Sequence, residues 1–401
     1  MPLPPPFADF LDEAASNTLG LYLHFPFCRR KCAYCSFVSG PPHSEKEMDR
    51  YVQALSRHLA LGAEEAQGKS VATVYLGGGT PSLLGADRLA RILEAINRFY
   101  NVAADAEITV EANPESASLE LFLSLRPLGL NRVSLGAQSF WDDELKQLGR
   151  IHSNEDIRRA VDGVRGAGIA NLSLDLIFAI PGQSPQRWET TLLSALNCEP
   201  DHLSAYGLSF EEGTLFERLR QEGKITQTLD ETYNEMYDLA ASLLAEAGMR
   251  HYEISNWHLP GKKSRHNLRY WDRSEYLAFG VSAHGFVSGR RYGLIADREK
   301  YVRLIEESGE KHYFHSEWLE ESAVLSNEEM ASDAMIFGLR KIEGVAIDSF
   351  KKRFGFTPLE RWGDEVDACM EKGWLEQIGG RLRLTRQALL ISNEVFSCFL
   401  D

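Results

Sequence analysis

Cys28, Cys32 and Cys35 stand within eight residues as C-x3-C-x2-C, directly after the apolar run Leu19 to Phe25. Three thiolates on one short loop suit three irons of a cubane iron–sulfur cluster, and the fourth iron is then open to a small chelating ligand. A structural zinc site calls for a fourth Cys or His, usually as a second C-x2-C pair or a paired His, and the chain supplies no second pair. A disulfide framework fits less well still. Cys198, Cys369 and Cys398 are scattered singly through 401 residues, and no secretory apolar region precedes them. Those three thiols read as small apolar core residues or surface bystanders.

A reactive loop needs a frame. Short apolar runs at Leu19 to Phe25, Val71 to Leu76, Glu107 to Glu111, Arg132 to Gly136, Leu172 to Ile177 and His202 to Leu208 predict strands. Amphipathic stretches at Glu45 to Glu65, Ala86 to Tyr100, Glu155 to Ala167 and Pro185 to Asn197 predict helices between them. Alternation of this kind specifies parallel strands with right-handed crossovers, in a curved and incompletely closed barrel or an open doubly wound sheet. Ligands gather beyond the carboxyl ends of such strands. Gly77-Gly78-Gly79 follows the second strand, where the lack of side chains lets the backbone approach a ligand.

The segment Tyr22-Leu-His-Phe-Pro-Phe-Cys28-Arg-Arg-Lys-Cys32-Ala-Tyr-Cys35 resembles the cluster loop of radical S-adenosylmethionine proteins, in the branch that holds oxygen-independent coproporphyrinogen III oxidase and heme chaperones of the HemW type. Further matches follow in order: Leu76-Gly-Gly-Gly-Thr-Pro81, Val110-Glu-Ala-Asn-Pro114, Leu135-Gly-Ala-Gln-Ser-Phe140, Asp175-Leu-Ile-Phe-Ala-Ile-Pro-Gly-Gln183 and His266-Asn-Leu-Arg-Tyr-Trp271. The resemblance implies a partial (β/α)6 barrel carrying a 4Fe-4S cluster on Cys28, Cys32 and Cys35, with S-adenosylmethionine on its open iron. It also implies that Gly78, Gly79 and Thr80 meet the methionine portion of that cofactor, and that Tyr22 and Glu111 line the same site. Tyr34, Gln138, Arg150 and Asp175 match positions associated with a second cofactor molecule in the oxidase. Their chemistry is apt, since a zwitterionic amino acid joined to a ribose needs carboxylates for its ammonium and hydroxyls and a guanidinium for its carboxylate.

Two details divide the branch. The oxidase carries a further cysteine two residues after the third, and here that place is Phe37. The H-N-x-x-Y-W pattern at His266 to Trp271 matches the chaperones instead. An imidazole at His266 is therefore a candidate heme ligand, with Tyr270 and Trp271 placed to stack on a porphyrin, although a histidine beside aromatics is also a common packed core residue. His251, His258 and His284 are competing candidates, and His24 reads as support for the cluster environment. The resemblance thus implies a heme-binding chaperone passing heme to acceptor proteins, some of them membrane-associated. The rival is an enzyme that uses the reduced cluster to form a 5'-deoxyadenosyl radical and starts decarboxylation of a porphyrinogen.

Two domains are expected: residues 1–300 as the barrel with an N-terminal arm and the histidine motif, and residues 301–401 as a smaller unit. In that second part Asn327 to Ile342, Ile347 to Phe354 and Leu359 to Lys372 predict helices, and a hairpin follows across Gly379-Gly380. Helices followed by a hairpin resemble a winged helix. A DNA-reading helix would be basic, whereas these mix Arg353 and Arg361 with Glu360, Asp364, Glu365 and Asp367, so a lid or docking module is the expectation. A net charge of −15 likewise disfavours a nucleic-acid partner. Pro2-Leu-Pro-Pro-Pro6 is neither a signal peptide nor a span, and the expected location is the cytoplasm, whose reducing conditions suit free thiols and an oxidisable cluster.

Overall fold

The computed structural model describes residues 17–309 and 312–400, so the proline-rich start lies outside the described residues. Six parallel strands run in sequence order: β1 (Thr18–Phe25), β2 (Ser70–Gly78), β3 (Val102–Ala112), β4 (Arg132–Gln138), β5 (Asn171–Phe178) and β6 (His202–Gly207). Each of the six runs expected from periodicity is a strand. Helices cover the outside, including Glu45–Gly62, Ala86–Phe99, Asn154–Gly166 and Pro185–Leu196. Their starts are specified locally: Ser44, Ser153 and Ser184 each accept a first-turn amide, and Asp156 completes a capping box with Ser153.

The alternation of side chains explains how a buried sheet holds a polar site. All seven residues of β4 are buried, yet Val133, Leu135 and Ala137 fall on one face and Arg132, Ser134, Gly136 and Gln138 on the other. The first set packs under the helices in the main core, and the second points into the barrel.

The sheet is larger than periodicity indicated. Beyond β6 it gains β7 (Arg250–Glu253) and β8 (Asn256–His258), and beyond β1 it gains β9 (Tyr276–Phe279), β10 (His284–Val287), β11 (Arg290–Leu294) and β12 (Leu319–Val324), twelve strands in all among the described residues. Because β12 pairs with β11, the division between the two units falls near residue 325 and not at 300. Between β8 and β9 the helix Arg265–Trp271 crosses the amino ends of β1 to β3. The Glu107 carboxylate accepts the Arg265 and His266 amides at 3.1 and 3.0 Å, and Arg269 Nη2 donates to Thr18 Oγ1 at 2.9 Å. Gly20 makes this crossing possible, since a Cβ there would lie 2.8 Å from Arg269 Cδ.

The second unit contains helices Asn327–Leu339, Ile347–Phe354, Pro358–Arg361 and Gly363–Glu371. Its three-stranded sheet consists of β13 (Val345–Ala346), β14 (Leu375–Ile378) and β15 (Arg381–Leu384), in the order β13-β15-β14. The single helix expected over Leu359 to Lys372 is broken at Trp362, whose buried ring packs against Phe350 and Phe399. The unit docks on the barrel through Lys341 with Asp272 and through Trp271 stacked on Phe337 at 6.2 Å. No helix among the described residues is long and apolar enough to cross a membrane.

Candidate functional site

A cavity of 550 Å³ runs through the barrel, from Arg132, His202 and Asn267 at the amino ends of the strands to Cys28, Cys32 and Cys35 beyond their carboxyl ends. The cysteine loop is pinned by backbone: Gly79 N donates to Phe25 O and Thr80 N to Phe27 O, both at 2.7 Å, and Ala33 N donates to Leu148 O at 3.0 Å. All three thiols are partly exposed and none is disulfide-bonded. Thr80 Oγ1 donates to Cys28 Sγ at 3.4 Å and Arg150 Nη1 to Cys32 Sγ at 3.5 Å, contacts that favour sulfur carrying negative charge. Among the described residues no three His, Cys, Asp or Glu side chains are gathered for a single ion. A cubane fits this loop better, because its thiolates bind three different irons and stand further apart than four ligands crowded around one zinc.

The glycine segment has little slack. Gly78 has φ +104°, and a Cβ on it would lie 2.5 Å from the His24 ring, while a Cβ on Gly79 would lie 2.6 Å from Phe25 O and 2.8 Å from Phe27 O. Backbone carbonyls cannot swing aside as a side chain can. Gly79→Ala is therefore expected to displace the cysteine loop and lose most of the bound iron and sulfide after anaerobic reconstitution; full occupancy in this variant would show that the loop position is not critical.

Of the residues singled out for the cofactor, Tyr34, Gly78, Gly79, Thr80, Glu111, Gln138, Arg150 and Asp175 line this cavity together with the three cysteines. Arg150 Nη2 donates to Asn113 Oδ1 at 2.6 Å and to Gly136 O at 3.0 Å, and Asn113 Nδ2 donates to Thr80 Oγ1 at 2.9 Å. This chain ties the loop after β3 to the glycine segment and to Cys32. Asp175 accepts from Ser134 at 3.0 Å, Ser204 at 2.8 Å and Ser173 at 3.4 Å, and burial raises its carboxyl above the ordinary range against those bonds. Burial likewise pushes Glu111 up to about 7, opposed by hydrogen bonds from the Tyr75 hydroxyl at 2.7 Å and the Gly78 amide at 3.0 Å.

Tyr22 and His266 are not among the cavity's lining residues. Tyr22 lies near the Tyr75 and His266 rings, at 6.3 and 6.4 Å, and its hydroxyl bonds His24 Nδ1 at 3.2 Å. His24 Nε2 bonds Val38 O at 2.9 Å, bracing the end of the cysteine loop. His266 is completely buried, and both ring nitrogens are engaged, Nδ1 with Thr73 Oγ1 at 2.8 Å and Nε2 with Tyr270 Oη at 2.9 Å. In this arrangement it presents no free nitrogen to an iron, and the packed-histidine alternative describes it. Burial lowers its pKa to about 3, which keeps the ring neutral. Asn267 of the same motif does line the cavity, and Trp271 faces outward toward the second unit.

Several lining residues escaped the sequence reading. Arg132 is buried, and its Nε has no hydrogen-bond partner among the described residues, so a ligand carboxylate or hydroxyl would satisfy it. Asn113 was visible within the matched Val110 to Pro114 segment, but Arg132 is simply the first residue of a strand, and only the period-2 phase of β4 marks it as inward-facing.

Residues 22–195 match the radical SAM superfamily, and residues 325–391 match the HemN C-terminal domain. The chain is 34% identical over 380 residues to the heme chaperone HemW of Bacillus subtilis, covering 94% of this chain and 98% of that protein. Identity to the heme chaperone HemW of Escherichia coli is 32% over 387 residues, covering 95% and 98%. A bovine mitochondrial relative, radical S-adenosyl methionine domain-containing protein 1, is 32% identical over 407 residues, covering 96% and 88%. Among solved structures, the coproporphyrinogen III oxidase HemN of Escherichia coli superposes with a TM-score of 0.82 over 96% of this chain and 92% of that one, at 20% identity, which establishes the shared fold.

Proposed function

The chain belongs to the HemW family of radical S-adenosylmethionine proteins, and from that premise we propose that it binds heme and passes it to acceptor proteins. The observation that carries this reading is identity to heme chaperones along nearly the whole of both chains. Phe37 supports it: the place of the oxidase's additional cysteine holds a phenyl ring that is 62% exposed at the cavity mouth.

A cluster on Cys28, Cys32 and Cys35 supplies an open iron for the amino-acid end of S-adenosylmethionine and the capacity for one-electron transfer. The protein's own residues do the positioning. Gly78 and Gly79 leave the cavity floor open, Thr80 and Arg150 brace two of the sulfurs, and Glu111 offers a carboxylate whose charge depends on pH near neutrality. Binding of S-adenosylmethionine should strengthen from about pH 6 to about pH 8 as Glu111 ionises, and Glu111→Gln should flatten that profile. The stability term runs the other way. The raised carboxyl contributes its stability below the unfolded value of 4.5 and loses it as pH rises through about 7. Binding curves at several pH values, followed by the cluster's electron paramagnetic resonance signal, check the profile; an unchanged slope in the Gln variant would remove Glu111 from the site.

Acceptors that include membrane-associated proteins and a cytoplasmic setting complete the reading. It is tested by anaerobic reconstitution followed by equilibrium titration with heme. Saturable binding near one equivalent is expected, and its absence would sink the chaperone reading.

A further inference from the structure

Between the barrel and the second unit lies another cavity, of 810 Å³ and within the roughly 300–1,000 Å³ of small-molecule sites. Given the reading of the chain as a heme binder, we propose that this cleft is where heme sits, with His258 Nε2 on the iron and Arg250, Lys263 and Arg353 taking the propionates.

The histidine is the most specific part. His258 is buried at the end of β8 and lines the cleft. Its Nδ1 lies 2.6 Å from Leu259 O, and since a carbonyl only accepts, Nδ1 carries the proton and the lone pair is on Nε2. Nε2 has no hydrogen-bond partner among the described residues. A ring nitrogen donating to a backbone carbonyl while the other is free is the arrangement that metal-binding histidines use. The competing histidines differ. His266 is doubly bonded, His251 is stacked on Trp257 at 4.2 Å with Nε2 against Ile254 O at 3.2 Å, and exposed His284 sits beside Glu321 at 3.6 Å.

Charge supplies the second observation. Several cations at the cleft are already paired: Lys341 with Asp272, Arg381 with Glu343 and Arg383 with Glu376. Arg250, Lys263 and Arg353 have no carboxylate within ion-pair distance among the described residues; Arg353 donates to the carbonyls of Asp272 and Arg273, each at 3.1 Å, and lies over the Phe354 ring at 5.1 Å, while Lys263 lies over the Tyr252 ring at 5.8 Å. Three cations without an ion-pair partner among the described residues, around one cleft in a chain of net charge −15, match a dianionic ligand. The walls between them are apolar, with Leu268, Val345 and Phe350 from opposite units. Trp271 also lines the cleft, and its buried indole Nε1 has no partner among the described residues, leaving a donor that an added ligand could satisfy. The helix Arg265–Trp271 thus touches both cavities, Asn267 at the cofactor side and Trp271 at this one.

The test is heme titration of the full-length, cluster-loaded protein as wild type, His258→Ala and the double variant Arg250→Glu, Lys263→Glu. His258→Ala should shift the Soret band and lose the imidazole signature in magnetic circular dichroism, and added imidazole should restore it. The double variant, altered at residues that make no ion pair, should fold and bind heme at least about tenfold more weakly, a cost near 1.4 kcal/mol. Unchanged spectra and affinities in both variants, with saturable binding by wild type, would overturn the cleft assignment and leave the chaperone reading standing. Wild type that binds no heme would remove both. Should His258→Ala fail to fold, the affinity of the double variant decides.

Discussion

Cys32→Ala is expected to abolish the cluster. With two thiolates left on the loop, a third iron loses its protein ligand, and Arg150 keeps Asn113 Oδ1 and Gly136 O as acceptors but loses the sulfur to which its Nη1 donates at 3.5 Å. Nothing nearby replaces it: Cys198 bonds the carbonyl of Ser194, and Cys369 and Cys398 lie in the second unit, so alanine at each of those three should leave iron and sulfide content unchanged. Elemental analysis and the electron paramagnetic resonance spectrum of the reduced protein check the set. Wild-type iron content in Cys32→Ala would defeat the assignment.

His266→Ala is expected to cost stability and to spare heme ligation. The substitution opens a void under Tyr75, whose ring lies 5.2 Å from the imidazole, and leaves the Thr73 and Tyr270 hydroxyls without a partner, together worth about 2–4 kcal/mol. Denaturant unfolding measures that loss, and the Soret spectrum of the heme complex should keep its wild-type position. A pH series adds a signature. The folded pKa of about 3 lies below the ordinary 6.5, so His266 contributes stability above 6.5 that is lost as pH falls toward 3, and the acid slope should be shallower in His266→Phe. A variant as stable as wild type, with an altered heme spectrum, would restore His266 as the ligand.

The contrast between these two sites shows what was legible before any coordinates. Cysteine spacing and a triple glycine carry their chemistry locally: the thiols need one loop, and Gly79 is required because two carbonyls of the adjacent loop lie where its Cβ would be. The six parallel strands were visible because their helix-facing positions are apolar at every second residue, as Val133, Leu135 and Ala137 are in β4. The strands β9 to β12 were not, being four to six residues long with polar members such as Arg290, Arg291, Glu320 and Glu321 that periodicity treats as loop. His266 was ambiguous in principle. A histidine among aromatics looks the same whether its nitrogens face an iron or face Thr73 and Tyr270, and only the crossing of its helix under β1 to β3 separates the two. His258, two residues before a proline, carries no motif at all; its tautomer is set by Leu259 O, a contact visible only in three dimensions.

The central claim, a heme carrier built on a radical S-adenosylmethionine scaffold, is tested most directly by giving the anaerobically reconstituted protein heme and coproporphyrinogen in parallel. The account predicts saturable heme binding, release of that heme to a heme-free acceptor protein, and recovery of the coproporphyrinogen unchanged. Conversion of coproporphyrinogen to protoporphyrinogen at an enzyme-like rate, with no saturable heme binding, would contradict it.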